Sequence, residues 1–213
     1  KSFTADRQVT IVGGRNVGDE YFDAGQEISF VDMDVLAVGA VVPDVCADFE
    51  RYWTSASAYP IASLLPRPDP DALARTLERE DRICESPAAA PYREALARSD
   101  HIERLAAVEL ALEWTDVKLV SDSPAKVLGK GRKREWLARR LGEVLGAPRK
   151  ELLLVSPYFV PTASGTAALA AQAAGGVAVS VLTNSLAATD VPVVHAGYAK
   201  RRRALLRSGL RLF

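Results

Sequence analysis

The second half of the chain alternates short apolar segments with segments of helical periodicity, and this alternation constrains the fold more than any other feature. From residue 114 onward the segments are DVKLVSDSP, KREWLARRLGEVLGAP, ELLLVSPYFVP, SGTAALAAQAAGG, VAVSVLTNS, VVHAGYAKRRRALLRSGL and LRLF. Strands that alternate with helices favour a layered α/β fold with parallel pairing. Ser164 is the expected N-cap of the helix in SGTAALAAQAAGG.

The beginning of the chain follows a different pattern. KSFTA and VTIVGG are short β-like segments separated by DRQ, which predicts a hairpin. A third segment, ISFVDMDVLAVGAVV, predicts a strand on which Asp32 and Asp34 share a face with Leu36 and Val38, because side chains alternate along a strand. Together with the parallel strands, this hairpin predicts a mixed, mostly parallel sheet sandwiched between helices.

The middle of the chain is predicted to be helical. PDVCADFERYWTSAS places apolar residues on one side of a helix, and Pro43 suits its first turn. The proline-rich linker in LLPRPDPD follows, and PYREALARSDHIERLAAVELALEW then predicts further helix with a break before His101.

Composition excludes several classes of protein. The formal net charge is zero at pH 7, which gives no overall field for binding nucleic acid. No apolar segment approaches the length of a membrane span, so contact with a membrane is expected only at its surface. The cysteines Cys46 and Cys84 form no disulfide framework, and His101 and His195 lack metal-ligand spacing, so no metal site is predicted.

Positive charge is concentrated in two segments. Residues 126–140 contain seven Lys and Arg against one Glu, and residues 200–207 contain a second basic run. Such runs are usually solvated helix faces. The alternative is a basic patch for the anionic head groups of a membrane.

The loop after the hairpin carries residues suited to holding an anion. In GGRN, the two glycines let the backbone approach a ligand closely. Asn16 can donate a hydrogen bond to a phosphate oxygen, and Lys1 supplies a positive charge for the same group. Lys1 and Asp6 alone are weak signals, since this spacing of charges is common on protein surfaces.

The same residues resemble a known motif. KSFTADRQVTIVGGRNVGDEYFD resembles the HxKxxxxD motif of the phospholipase D superfamily followed by its G-G/S-x-N element. Lys1 and Asp6 match the first element, Gly14 and Asn16 match the second, and the motif histidine would stand two residues before Lys1. FVDMDVLAVGAVV resembles the family strand that carries an acidic residue near the active-site histidine. LLLVSPYFVP and LTNSLAATDVPVVHAGYAKRRRALLRSG closely resemble the cardiolipin synthase branch, type C in particular.

The resemblance implies a phospholipase D-like fold with an incomplete second half. Residues 1–112 would form the end of the first half and a helical linker, and residues 113–213 the start of the second. Members carry two HxKxxxxD motifs, and a second one does not occur in these 213 residues. The chain therefore resembles the segment between the motifs and is expected to be inactive alone.

The resemblance also implies roles for individual residues. Lys1 and Asn16 would stabilise charged phosphate oxygens, and Asp6 would fix the hairpin. Asp32 would orient the missing histidine, with Asp34 as the alternative. Two residues near strand ends are further candidates for substrate binding, although aromatic packing explains the first equally well: Tyr158 and Asn184.

The implied activity is phosphatidyl transfer through a phosphohistidine intermediate, without metal or cofactor. The implied substrates are phospholipids such as phosphatidylglycerol, at the surface of a bacterial cytoplasmic membrane, and no nucleic-acid partner is expected. The alternatives are a phospholipase D-like hydrolase or nuclease, and a degenerate member without catalysis. His195 is expected to be a structural hydrogen-bonding residue and not the nucleophile.

Overall fold

The structure, a computed structural model, describes residues 1–22, 29–67, 69, 71–107, 109–132 and 136–213. The chain divides into two compact units, Lys1–Leu137 and Ala138–Phe213. Parts of the predicted third strand, linker and helices lie outside the described residues, namely residues 23–28, Pro68, Pro70, Val108 and residues 133–135.

The first unit begins with the predicted hairpin. Strands β1 (Ser2–Ala5) and β2 (Val9–Gly13) pair antiparallel, and β3 (Asp34–Val38) pairs antiparallel with the other edge of β2. The hairpin turns at Asp6 and Arg7, whose φ angles are 49° and 56°, and the Gln8 amide donates to the Ala5 carbonyl at 3.0 Å. Positive φ at both central residues is typical of the turns that suit the twist of a hairpin, and the loop between the paired Ala5 and Val9 has three residues.

Helix α1 (Val41–Trp53) covers part of this sheet. Pro43 lies in its first turn, as the sequence predicts. Three valines near its start are buried, and so is Thr10, whose hydroxyl lies 2.8 Å from the Thr4 hydroxyl. That hydrogen bond satisfies the polar group that the helix removes from water.

Three further helices follow, α2 (Ala72–Cys84), α3 (Ala90–Arg98) and α4 (His101–Ala106). The predicted strand in DVKLVSDSP is wrong, because residues 116–123 form no strand. Side chains of α1 bind this segment instead of a neighbouring strand. Ser121 Oγ donates to Asp48 at 2.6 Å, and Tyr52 donates its hydroxyl hydrogen to the Asp122 carbonyl at 2.8 Å.

The second unit has the predicted strand and helix alternation. After α5 (Leu137–Leu145), strands β4 (Glu151–Val155), β5 (Ala178–Leu182) and β6 (Arg211–Leu212) pair in parallel. Helices α6 (Ala163–Ala174) and α7 (Pro192–Arg207) connect them. The parallel pairing predicted from the alternation is therefore confirmed.

Among the described residues, the strands form two three-stranded sheets, in the orders β1-β2-β3 and β4-β5-β6. The predicted single mixed sheet is corrected accordingly: both kinds of pairing are present, and each is confined to one sheet. A tight turn joins the antiparallel strands β1 and β2, whereas helices connect the parallel strands, as each kind of pairing requires.

The N-cap of α6 also differs from the prediction. Thr162, and not Ser164, accepts a hydrogen bond through Oγ1 from the Gly165 amide at 3.1 Å. The helix begins at Ala163, so Thr162 stands at the position from which a side chain reaches the third amide of the helix.

The core of the second unit lies between the parallel sheet and its helices. Its buried residues come from β5, α7 and the segments beside them: Val177, Val179, Val181, Tyr198, Leu205 and Leu210.

Among the described residues, the helices lack the combined length and hydropathy needed to cross a membrane.

The contrast between two adjacent leucines of α7 tests this packing. Leu205 is 0% exposed and Leu206 is 50% exposed. Leu205→Ala is expected to lower the free energy of unfolding by about 2–5 kcal/mol, because it leaves a cavity in the core. Leu206→Ala, the matched control, should cost less than about 1 kcal/mol. Urea unfolding measures both, and equal losses would contradict the assigned core.

Candidate functional site

The structure places Lys1 beside the glycine loop that follows β2. The Lys1 carbonyl accepts from the Gly13 amide at 3.1 Å, which continues the β1–β2 pairing. The Lys1 ammonium donates a hydrogen bond to the Gly14 carbonyl. Lys1 and Gly14, thirteen residues apart, are thus brought into contact, and Asn16 lies two residues further along the loop.

Two aspartates pack against the glycines themselves. A Cβ atom at Gly13 would lie 1.7 Å from Asp34 Oδ1, and a Cβ atom at Gly14 would lie 2.5 Å from Asp32 Oδ1. At Gly13 the clash extends to the Asp34 Cα atom at 2.9 Å, so a side chain there would force the strands to shift, whereas at Gly14 a side chain would displace only the end of the Asp32 side chain. Glycine is favoured here because the aspartate side chains approach the backbone closely.

The two carboxylates have different partners. Arg15 Nε donates to Asp34 Oδ2 at 2.7 Å. Asp32 Oδ1 accepts from the Met33 amide at 3.0 Å, and within the described ranges no cationic side chain forms an ion pair with Asp32. Asp34 is therefore neutralised locally, while Asp32 keeps a carboxylate that is available to another group.

The hydrogen bond from Arg15 holds the pKa of Asp34 below its ordinary value of 3.8. Desolvation opposes this shift, and the nearby charges of Arg15 and Lys1 add to it. Asp34 therefore stays ionised under conditions in which an isolated aspartate begins to bind a proton.

Asn16 is held by a tyrosine. Its Nδ2 donates to the Tyr21 hydroxyl at 2.8 Å. Tyr21 belongs to a short 3-10 turn, Asp19–Tyr21, and its carbonyl accepts a hydrogen bond from the Arg15 guanidinium. The contacts of Arg15 and Tyr21 were not predicted. Their only sequence signal was their position inside the GGRNVGDEY segment.

Asp6 lies at the opposite end of the hairpin from this loop. The register pairs Ser2 with Val12 at the loop end and Ala5 with Val9 at the turn end. Five residues at a rise of ~3.3 Å put Asp6 about 16 Å from Lys1 along β1. Asp6 is thus not brought together with Lys1 and Asn16. It lies in the turn between β1 and β2.

The other predicted binding residues lie in the second unit, after the carboxyl ends of β4 and β5. The Tyr158 hydroxyl lies 2.9 Å from each carboxylate oxygen of Asp190. The Asn184 carbonyl lies 3.4 Å from His195 Nδ1, and the His195 ring meets Tyr198 edge-on at 5.5 Å. Asp190 was missed by the sequence analysis, since its role depends on a contact thirty-two residues away.

The same part of the second unit forms a narrow cleft. Tyr158 itself does not line it, whereas Asn184 and His195 do, together with Pro157, Phe159, Thr183, Thr189, Val194 and Tyr198. The cleft lies at the carboxyl edge of a parallel sheet, where ligands commonly bind, but in this structure it has no room for a water molecule.

The described residues contain no cluster of three or more His, Cys, Asp or Glu side chains arranged to hold a metal ion. Cys46 is half-buried, and Cys84 is exposed.

The two basic segments differ in their surroundings. Lys126 pairs with Asp122 at 2.6 Å and lies 5.3 Å from the centre of the Trp136 ring. Lys133 and Arg134 lie outside the described residues. On α7, Lys200, Arg203 and Arg207 are exposed and spaced to share one side of the helix, away from the buried Tyr198 and Leu205.

Comparison with known proteins gives an assignment by sequence. The chain is 44% identical over 220 aligned residues to Cardiolipin synthase C of Escherichia coli K12, and the match covers the whole chain. It is 27% identical, again over its whole length, to uncharacterized proteins of two Helicobacter pylori strains, 26695 and J99. No family model and no solved structure matches the chain.

Over its whole length the chain is similar to Cardiolipin synthase C, a member of the phospholipase D superfamily, which is also the class that the GGRN loop and its lysine resemble. Within that superfamily it is cardiolipin synthase-like, since its similarity to Cardiolipin synthase C extends from its first residue to its last. It spans less than half the length of these relatives, namely 45% of the first and 42% of each of the others.

The pKa of Asp34 gives a testable pH dependence. A lowered folded-state pKa means that the ionised carboxylate stabilises the fold above the ordinary value of 3.8 and that this contribution is lost as pH falls through the lower, folded-state pKa. Asp34→Asn should therefore be less stable than the native chain at about pH 6, and the difference should shrink in acid.

Urea unfolding at several pH values measures this difference. Asp116→Asn, a change at an exposed aspartate of the same unit, is the matched control and should alter stability little at every pH. A difference between the native chain and Asp34→Asn that stays constant with pH would show that the Arg15 contact does not act through charge.

Proposed function

We propose that the intact protein is a cardiolipin synthase-like phosphatidyltransferase that exchanges the alcohol on a phospholipid phosphate. The observation that carries this proposal is the 44% identity to Cardiolipin synthase C across the whole chain. The contact of Lys1 with Gly14 supports it, because it gathers a cation and a glycine loop where a phosphate would be held.

The proposed reaction passes through a phosphohistidine. A histidine two residues before Lys1 attacks the phosphorus, so that an N–P bond forms and the P–O bond to the leaving alcohol breaks. A second histidine gives its proton to the leaving oxygen and then accepts the proton of the incoming hydroxyl. That hydroxyl attacks the phosphorus, a new P–O bond forms and the N–P bond breaks.

This chain would contribute electrostatic stabilisation to those steps. The residue two before Lys1 shares a strand face with Lys1, because side chains alternate. The Lys1 ammonium and the Asn16 amide would donate to the non-bridging oxygens, on which charge builds up in the transition state. Asp6 would support this half-site from a distance, by holding the turn between β1 and β2.

Asp32 is the better candidate for orienting the histidine. Asp34 is already bonded to Arg15 at 2.7 Å, and an occupied carboxylate is a poor partner for an imidazolium. Asp32 lies against Gly14 and accepts only from a backbone amide among the contacts described. Its carboxylate would fix the ring and stabilise its positive charge.

Tyr158 and Asn184 are proposed to bind substrate from the second half-site. Tyr158 is positioned by Asp190, and Asn184 lines the neighbouring cleft with its backbone engaged by His195. The partners of the intact protein would be phospholipids such as phosphatidylglycerol. No residue here is proposed to hold a metal or cofactor.

The protein is proposed to act at the surface of the bacterial cytoplasmic membrane as a peripheral enzyme. The exposed stripe of Lys200, Arg203 and Arg207 supports this, because anionic head groups attract such clusters. The competing explanation is that these side chains complement the carboxyl end of the α7 dipole. Flotation with phosphatidylglycerol vesicles, with and without Lys200→Glu and Arg203→Glu, distinguishes the two.

The test of the proposed activity is product analysis with the full-length protein. Incubation with phosphatidylglycerol is expected to yield cardiolipin and glycerol. Phosphatidic acid as the main product would favour the hydrolase alternative, and no turnover of phospholipid would favour a non-catalytic role. Identity to a synthase over the whole chain favours transfer over both.

Lys1→Ala is expected to lower turnover of the full-length enzyme by roughly 10²–10³, since removal of one placed donor to an oxyanion has an effect of this size. The fold should remain intact, because the Lys1 side chain is exposed. Lys118→Ala, at another exposed lysine of the same unit, is the matched control and should retain activity. Turnover within a few-fold of the native rate for Lys1→Ala would refute the role of Lys1.

A further inference from the structure

The side-chain amide of Asn16 is held by a hydrogen bond to Tyr21. One hydrogen of Nδ2 is donated to the Tyr21 hydroxyl at 2.8 Å, across a loop of five residues. An exposed asparagine otherwise samples a broad range of amide orientations, because its terminal torsion has no sharp minima. The contact with Tyr21 therefore selects one orientation of the amide plane.

Tyr21 is itself fixed from several sides. Its ring meets the edge of the Phe30 ring at 5.1 Å with an interplanar angle of 69°. Its amide donates to the Gly18 carbonyl at 3.0 Å, and its carbonyl accepts from the Arg15 guanidinium. The hydroxyl thus stands at a defined place relative to the glycine loop.

Arg15 connects this tyrosine to the strand. The guanidinium that binds the Tyr21 carbonyl also donates to Asp34 at 2.7 Å. It lies 5.6 Å from the centre of the Phe22 ring. A continuous set of contacts therefore runs from Asp34 on β3 through Arg15 and Tyr21 to the Asn16 amide.

We propose that Tyr21 is a positioning residue for the phosphate site: its hydroxyl accepts one Nδ2 hydrogen of Asn16 and directs the other towards the phosphate oxygen. The inference rests on the proposed function, because it requires Asn16 to bind the reacting phosphate. Tyr21 does not touch the substrate. Tyr21 holds the Asn16 amide in place before the transition state forms. This lowers the entropic cost of ordering the amide in the transition state.

The test uses the full-length enzyme and the variants Tyr21→Phe, Asn16→Ala and their combination. Tyr21→Phe keeps the ring and its contact with Phe30 and removes only the hydroxyl. It is expected to lower kcat about three- to tenfold, the range of a single neutral hydrogen bond, with little change in KM and in the melting temperature. Tyr59→Phe, at an exposed tyrosine of the same unit, is the matched control and should leave kcat unchanged.

The double variant separates positioning from a structural role. If Tyr21 acts through Asn16, Tyr21→Phe should have almost no further effect in the Asn16→Ala background, since the two changes remove one interaction. The same fold loss in both backgrounds would show that Tyr21 acts independently of Asn16, and the inference would be wrong.

The remaining outcomes distinguish this inference from the proposed function. A large loss for Asn16→Ala with native turnover for Tyr21→Phe overturns the inference and leaves the phosphate site standing. Native turnover for Asn16→Ala overturns the role of Asn16 in the proposed function, and the role of Tyr21 with it.

Discussion

The contact of two aspartate carboxylates with the backbone of Gly13 and Gly14 is the constraint on which the candidate site depends. A side chain at Gly13 would overlap the Asp34 carboxylate and crowd its Cα atom, and a side chain at Gly14 would displace the Asp32 carboxylate. The glycines thus allow β3 to bring negative charge up to the loop, and the loop is held by the positive charges of Lys1 and Arg15. Before any ligand binds, Arg15 is thus paired with Asp34, and Lys1 is bonded to a backbone carbonyl.

Residues with the same kind of charge differ in how strongly they are engaged by their partners. Arg15 engages Asp34 and leaves Asp32 without a cationic partner among the described side chains. Lys1 bonds a carbonyl, which is a weaker partner than a carboxylate, so its ammonium can turn to a phosphate at little cost. The paired Arg15 and Asp34 hold the loop in place. Lys1 and Asp32, which have weaker partners, are the residues proposed to take part in the reaction.

Much of the fold follows from local patterns. The hairpin, α1 and the parallel strands of the second unit were predicted because periodicity and turn residues report local structure. Periodicity does not report which strands pair, so one mixed sheet was predicted where two sheets exist. DVKLVSDSP is apolar enough for a strand, but α1 binds it through Asp48 and Tyr52 instead.

The spacing of the motif residues along the chain predicted part of the candidate site. Lys1, Gly14 and Asn16 came from the order of residues along the chain, and the structure brings Lys1 to Gly14. Tyr21 and Asp190 could not be found in this way, because their significance lies in contacts with Asn16 and Tyr158. Supporting residues of this kind are recognised from geometry.

The central claim is that the glycine loop holds a phosphate through Lys1 and Asn16. The most direct measurement is the nuclear magnetic resonance spectrum of the intact protein with ¹⁵N-labelled asparagine and glycine, during titration with inorganic phosphate. Saturable shifts of the Asn16 side-chain amide and the Gly14 backbone amide, absent in Lys1→Ala, are the predicted result. Shifts confined to other residues, or shifts at Gly14 that persist unchanged in Lys1→Ala, would contradict it.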